Sequence, residues 1–255
     1  FQAALNSRIY VDKTGLIACM NNILDSTDAY ICNSRPRRFG KSYAANMLAA
    51  YYSKGASSEE MFSKLDIGKT PDFKRHLNKY DVIHIDIQWF LTNCEDKDKV
   101  VGYITKVVLD ELKDVYPDIL PSEVLSLPDA LSRVRNKTGR KFVIIIDEWD
   151  VLIRDEAANK KVQDDYIRFL RSMFKGIEPT KYIQLAYLTG ILPIKKERTQ
   201  SALNNFREYS MLNAGPLASY IGFTENEVKE LCRAYNKDFT EVKRWYDGYQ
   251  LGAYQ

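Results

Sequence analysis

Histidine is nearly absent, at two residues in 255, and cysteine is sparse, at four. Cys19, Cys32, Cys94 and Cys232 are scattered with no pair at metal-ligand spacing, and with His76 and His84 they make no zinc signature. Reduced, buried thiols in a cytoplasmic protein are the expectation. Long hydrophobic runs are also missing: the strongest, such as Val143 to Ile146, fall far short of the roughly 18 residues of a membrane span. No signal peptide is visible, and the chain opens on Phe1, so it is expected to be a fragment or to lack its natural start. A dominant charge is lacking too. With 37 basic against 34 acidic residues the net charge is +3, too small a surplus to argue for nucleic acid by itself.

What is present is ordinary for a globular chain: 45% hydrophobic and 28% charged residues, and enough length for one large α/β domain with at most a small appendage. Two β signals dominate. Tyr80 to Ile87 alternates apolar with polar, and Phe142 to Ile146 is a continuous run that predicts a strand buried on both faces. Weaker strands are expected at Ala29–Cys32 and Tyr182–Leu188, and a short fifth near Tyr209 to Leu212. Helical spacing lies between them. Ser42 to Tyr52 puts Ala44, Met47, Leu48 and Tyr51 on one face, and Val100 to Val115 does the same with Ile104, Val108, Leu112 and Val115. Pro121-Ser122 predicts a short helical turn, Pro128 a helix reaching about Val134, and Val162 to Phe174 another. Alternating strands and helices imply crossover units and a three-layer fold around a parallel sheet. Composition shifts after Leu212, where a capping box at Thr224 and Glu227 opens a helix over Glu225 to Tyr235, followed by Phe239 to Trp245.

The first strand runs into Asn33-Ser34-Arg35-Pro36-Arg37-Arg38-Phe39-Gly40-Lys41-Ser42 and then the Ala-rich helix. Gly40-Lys41-Ser42 is the end of a phosphate-loop pattern. Glycine lets backbone amides approach phosphates, the lysine reaches the β and γ phosphates, and the serine hydroxyl suits a magnesium ion. The helix start adds partial positive charge. The pattern's first glycine is replaced by Arg35, followed by Pro36. Arg35, Arg37 and Arg38 suit phosphate, an acidic partner or nucleic acid, and the residues alone do not choose among these.

Asp147 and Glu148 end the buried strand, where open α/β sheets bind ligands. The aspartate suits a magnesium ion held beside Ser42, and the glutamate suits a base that orients the attacking water. Kinases built on a phosphate loop need no such second acid, so Glu148 favours hydrolysis. Thr189, at the end of the strand from Tyr182, suits a residue that senses the γ-phosphate or holds the attacking water, or else one that only caps the turn into Gly190. Among Lys195, Lys196, Arg198 and Arg207 one could stabilise transition-state charge, although solvated surface cations are the simpler expectation.

With these residues in place the chain resembles the predicted AAA-ATPase-like family of gut and anaerobic bacteria. The resemblance rests on Tyr10 to Ile17, Ser34 to Ser42, Ile145 to Asp150, Leu188 to Leu192, Ser201 to Phe206 and Trp245 to Tyr249, in order along nearly the whole chain. The Arg-Pro replacement belongs to that family's pattern. The resemblance implies an additional-strand ATPase core over residues 1–212, with sheet order 5-1-4-3-2, and a helical lid over 213–255. It implies ATP and magnesium as ligands, with Arg37, Arg38, Phe39, Gly40, Lys41, Ser42 and Tyr43 around the phosphates. Tyr10 and Val11 would lie near the adenine, as a stacking edge or as core. Full-length relatives commonly carry a restriction-like nuclease domain beyond the lid. The expected function is an ATP-hydrolysing switch gating a partner or attached domain, with a nucleotide-binding module of negligible turnover as the alternative. A nucleic-acid-stimulated motor is a weaker reading, and an oligomer is possible.

Overall fold

The computed structural model describes residues 1–154, 159–194 and 203–246. Lys195, Lys196, Arg198, Ser201, Ala202 and the Asp247-Gly248-Tyr249 segment lie outside the described residues. Five parallel strands form one sheet: β1 (Tyr30–Ser34), β2 (Asp81–Asp86), β3 (Phe142–Asp147), β4 (Ile183–Gly190) and β5 (Arg207–Tyr209), in the order β2-β3-β4-β1-β5. This is the expected 5-1-4-3-2 arrangement. Every residue of β3 is buried, which is why its sequence shows no alternation; each large side chain there contributes roughly 2 kcal/mol by leaving water. β2, at the sheet edge, keeps the alternating pattern.

Helix α1 (Gly15–Asn21) precedes β1, and α2 (Lys41–Tyr52) follows it, burying Ala44, Met47, Leu48 and Tyr51 as the spacing predicts. After β2 come α3 (Ile87–Asn93), α4 (Val100–Val115) and α5 (Leu127–Thr138). After β3 come α6 (Val151–Arg154) and α7 (Lys160–Phe174). After β5 come α8 (Glu225–Ala234) and α9 (Phe239–Tyr246), which pack on each other.

Several boundaries differ from expectation for local reasons. The second strand ends at Asp86, because the Asp86 carboxylate accepts from the Trp89 backbone N–H at 3.1 Å and turns Ile87 into a helix start. The fifth strand lies at Arg207–Tyr209, earlier than Tyr209 to Leu212, because its register is set by pairing Tyr209 with Asn33. Pro121-Ser122 forms only a turn, closed by Val124 N–H to the Pro121 carbonyl at 3.1 Å. Helix α5 runs on to Thr138 and stops at Gly139, whose left-handed φ of 72° suits a residue without Cβ. Val115, expected on the buried face of α4, is exposed. Among the described residues no helix is long and apolar enough to cross a membrane, and all four cysteines are free.

Candidate nucleotide site

The carboxyl ends of β1, β3 and β4 meet at one edge of the sheet, and the loop after β1 crosses it. Arg35 does not reach outward from that loop. Its side chain is fully buried, its backbone N–H donates to the Gly190 carbonyl at 2.9 Å, and its Nη1 donates to the carbonyls of Ser34 (3.0 Å) and Tyr209 (2.9 Å). It therefore extends the β1–β4 ladder by one residue and clamps the three-residue β5 to it. The phosphate, partner and nucleic-acid roles open to Arg35 from sequence give way to a structural one. A glycine is not needed there because Arg35 is not among the residues with left-handed backbone.

The turn comes later. Arg38 (φ 70°) and Gly40 (φ 80°) both adopt left-handed backbone, leaving Arg37 and Arg38 exposed and Gly40 as the N-cap of α2. A Cβ on Gly40 would meet nothing within 4 Å, so the conformation and not the space requires glycine. Lys41 is buried, and its ammonium donates to the Pro36 carbonyl across the loop at 3.1 Å. Ser42 and Tyr43 are exposed on the first turn of α2, and the Ser42 hydroxyl has no hydrogen-bond partner among the described residues.

Asp147 ends β3 opposite Asp86 of β2, and both of its hydrogen bonds fall on Oδ1: from the Glu148 backbone N–H at 3.0 Å and from the Thr189 hydroxyl. Thr189 is fully buried, and its hydroxyl is spent on Asp147 in the nucleotide-free protein. Glu148 sits at φ 54°, rare for a side chain of its size. Burial lowers the Lys41 pKa, and Glu148, then Asp147, then Asp150 pull it back up, while Arg154 adds to the lowering. The ammonium, the three carboxylates and the guanidinium thus form one electrostatic cluster.

Two members of this cluster were not singled out from sequence. Asp150 is fully buried; its Oδ2 accepts from the backbone N–H groups of Ile191 (3.1 Å) and Leu192 (2.7 Å) and pairs with Arg154 Nε at 3.2 Å. It carried only the signal of belonging to the Ile145 to Asp150 segment, and Arg154 carried none. Replacing Asp150 by Ala leaves two buried amides without an acceptor and takes from Arg154 one of its two carboxylate partners. The expected loss is roughly 3 kcal/mol, seen as a melting midpoint lower by about 8 °C.

A C-terminal segment lies against the same region. Lys13 Nζ donates to both Glu227 oxygens at 2.6 Å and to the Ser219 carbonyl at 2.7 Å, and Glu227 closes the predicted capping box with Thr224. Gly222, at φ 89°, abuts the Phe39 ring so closely that a Cβ would lie 3.0 Å from it. Tyr10 is placed differently. Its ring edges onto Phe1, which stacks on Phe62 and through it reaches Tyr51, near the far end of α2 from Lys41. Its hydroxyl is buried without a partner among the described residues, and burial together with Asp12 and Asp66 raises its pKa. Among the described residues none of its ring neighbours belongs to the phosphate loop. Val11 is half-buried beside it. Arg207 is also remote: it pairs with Asp28, ahead of β1, at the opposite edge of the sheet.

A glycine-lysine-serine loop entering a helix, beside an acidic strand end in a sheet of this order, defines a nucleotide-binding domain of the ATPase type. The chain belongs to the family described as Predicted AAA-ATPase, whose model matches residues 3–199. It is 25% identical over 244 residues to an uncharacterized protein in the vnfD 5' region of Azotobacter chroococcum mcd 1, covering 94% of this chain and 45% of that protein. Among solved structures it is similar to the ORC2 protein of Aeropyrum pernix (ADPNP-ADP complexes), at TM-score 0.42 and 10% identity, over 89% of this chain and 53% of that one. The chain therefore spans about half the length of these two proteins.

Proposed function

We propose that this domain binds ATP with magnesium and hydrolyses it, acting as a switch on a partner or attached domain. The observation that carries the reading is the burial of Lys41 within a cluster that contains Asp147 and Glu148. Lys41 would bind the β and γ phosphates, with the backbone of Arg37 to Gly40 and the start of α2 around them. Among the described residues no three His, Cys, Asp or Glu side chains converge as a metal cage. Magnesium suits the donors present: Asp147 with Oδ1 already occupied, Ser42 with an unused hydroxyl, and the phosphates themselves. When bound, the ion neutralises phosphate charge; Glu148 would hold and polarise the water.

The switch would involve the C-terminal segment. The core would run over residues 1–212 and a lid would begin at 213, tied to the N-terminal stretch through Lys13 and Glu227. The base would lie between that stretch and the lid, with Val11 closer to it and Tyr10 supporting from the core. A nuclease domain following the lid, and a cytoplasmic setting, fit the family resemblance.

Calorimetry with ATP and phosphate release on the same sample test this, with EDTA as the control. Micromolar-range binding that weakens roughly tenfold or more without magnesium is expected, with slow release. Glu148 is tied to Arg154, and this favours the second reading of a binding module with negligible turnover; binding without release under all conditions would establish it. No binding with magnesium would reject both.

A further inference from the structure

Glu148 is the residue proposed to hold water, yet its carboxylate is already engaged. Oε2 accepts from Arg154 Nη2 at 2.5 Å, and the same guanidinium pairs through Nε with the buried Asp150. Both Glu148 and Arg154 keep about a quarter of their side-chain surface exposed, so the pair reaches solvent and is not sealed in the core. Asp150 is completely buried and anchored by two backbone amides, so it holds a fixed negative charge beside Nε while Nη2 meets Glu148. Glu148 meanwhile holds an unfavourable left-handed backbone, a conformation kept only when its surroundings enforce it. Helix α2, which opens with Lys41, packs on β3, the strand that runs into Glu148, and Lys41 feels both charges of the pair, Glu148 as its strongest attraction and Arg154 as a repulsion.

On the ATP site proposed above, we infer that Arg154 is a γ-phosphate-reading residue that holds Glu148 in the absence of nucleotide and releases it when the terminal phosphate competes for the guanidinium. A phosphoryl group offers Arg154 the planar, charge-assisted contact it now makes with a carboxylate. Asp150 keeps the arginine in place through the exchange. Release of Glu148 then frees a carboxylate oxygen for water. ADP, lacking the γ-phosphate, leaves the pair intact, so the base is engaged only with the triphosphate bound.

The test compares affinities for a non-hydrolysable ATP analogue and for ADP, both with magnesium, in the parent, Arg154→Ala, Arg154→Lys, Glu148→Gln and the double variant Arg154→Ala with Glu148→Gln. The parent is expected to prefer the triphosphate. Arg154→Ala should weaken the analogue about tenfold or more, with ADP within about twofold, as expected for loss of one charge-assisted contact; Arg154→Lys should recover only part. Glu148→Gln removes the competing carboxylate and should tighten the analogue relative to ADP, a gain that disappears in the double variant. A merely structural arginine would lower both affinities together and would show no such gain. An unchanged preference in a folded Arg154→Ala protein overturns the inference. If that variant does not fold, a Glu148→Gln protein with no gain for the triphosphate overturns it equally. A parent that binds neither nucleotide rejects the ATP site and this inference with it, whereas a parent that binds both equally rejects the inference alone.

Discussion

Replacing Glu148 by Gln is expected to cut steady phosphate release by at least about 100-fold, equivalent to about 2.7 kcal/mol of barrier, while ATP binding is kept or tightened. The change keeps size and hydrogen-bonding shape and removes only the ability to take up a proton and the charge that orients water. Loss of that charge also weakens the contact with Arg154, so binding and turnover move in opposite directions. The combination separates a base from a residue needed for folding, which would lower both. Full turnover in the variant would exclude Glu148 as the base. Asp147, whose Oδ1 is already occupied by Thr189 and by a backbone amide, would then remain as a magnesium ligand without a general base beside it.

The sheet was legible because each strand announces its burial. The unbroken apolar run in β3 and the alternation in β2 are direct readings of two covered faces and one. Strand order was less a matter of residues than of family resemblance, since no local pattern says that β4 lies between β3 and β1. At the site, Lys41, Ser42 and Asp147 could be proposed from sequence because phosphate and metal chemistry restrict both residue type and position. Thr189 was readable as a strand end but its hydrogen bond was not, because a single hydroxyl serves whichever acceptor lies closest, and that is Asp147, 42 residues away. Arg35 was misleading for a related reason. An arginine next to a phosphate loop looks like an anion ligand, but the carbonyl it satisfies on Tyr209 lies 174 residues further on. Asp150 and Arg154 escaped notice because their function is carried by contacts with Gly190's successors and with Glu148, which only the packed sheet edge creates. The Lys13–Glu227 pair, which spans the chain from end to end, is of the same kind.

Lys41→Ala should weaken ATP binding by roughly 150-fold, or about 3 kcal/mol, the usual cost of removing one partner of a desolvated charge pair. The parent's pH dependence gives an independent sign for the same group. In the nucleotide-free protein burial lowers the Lys41 pKa below the ordinary lysine value, only partly offset by Glu148, Asp147 and Asp150. Phosphate oxygens would favour the ammonium, so the bound form holds its proton more tightly than the free form. Binding is therefore at full strength below the free protein's lowered pKa, and it weakens as pH rises through the interval up to the bound pKa. Within that interval protons are taken up on binding, and calorimetry in buffers of different ionisation heat should detect a positive uptake that Lys41→Ala abolishes. Lys41→Arg separates charge from shape: its group stays protonated throughout, so affinity should become flat with pH even if it is lower overall. An uptake that persists unchanged in Lys41→Ala would assign the proton to another group and remove Lys41 from contact with the phosphates.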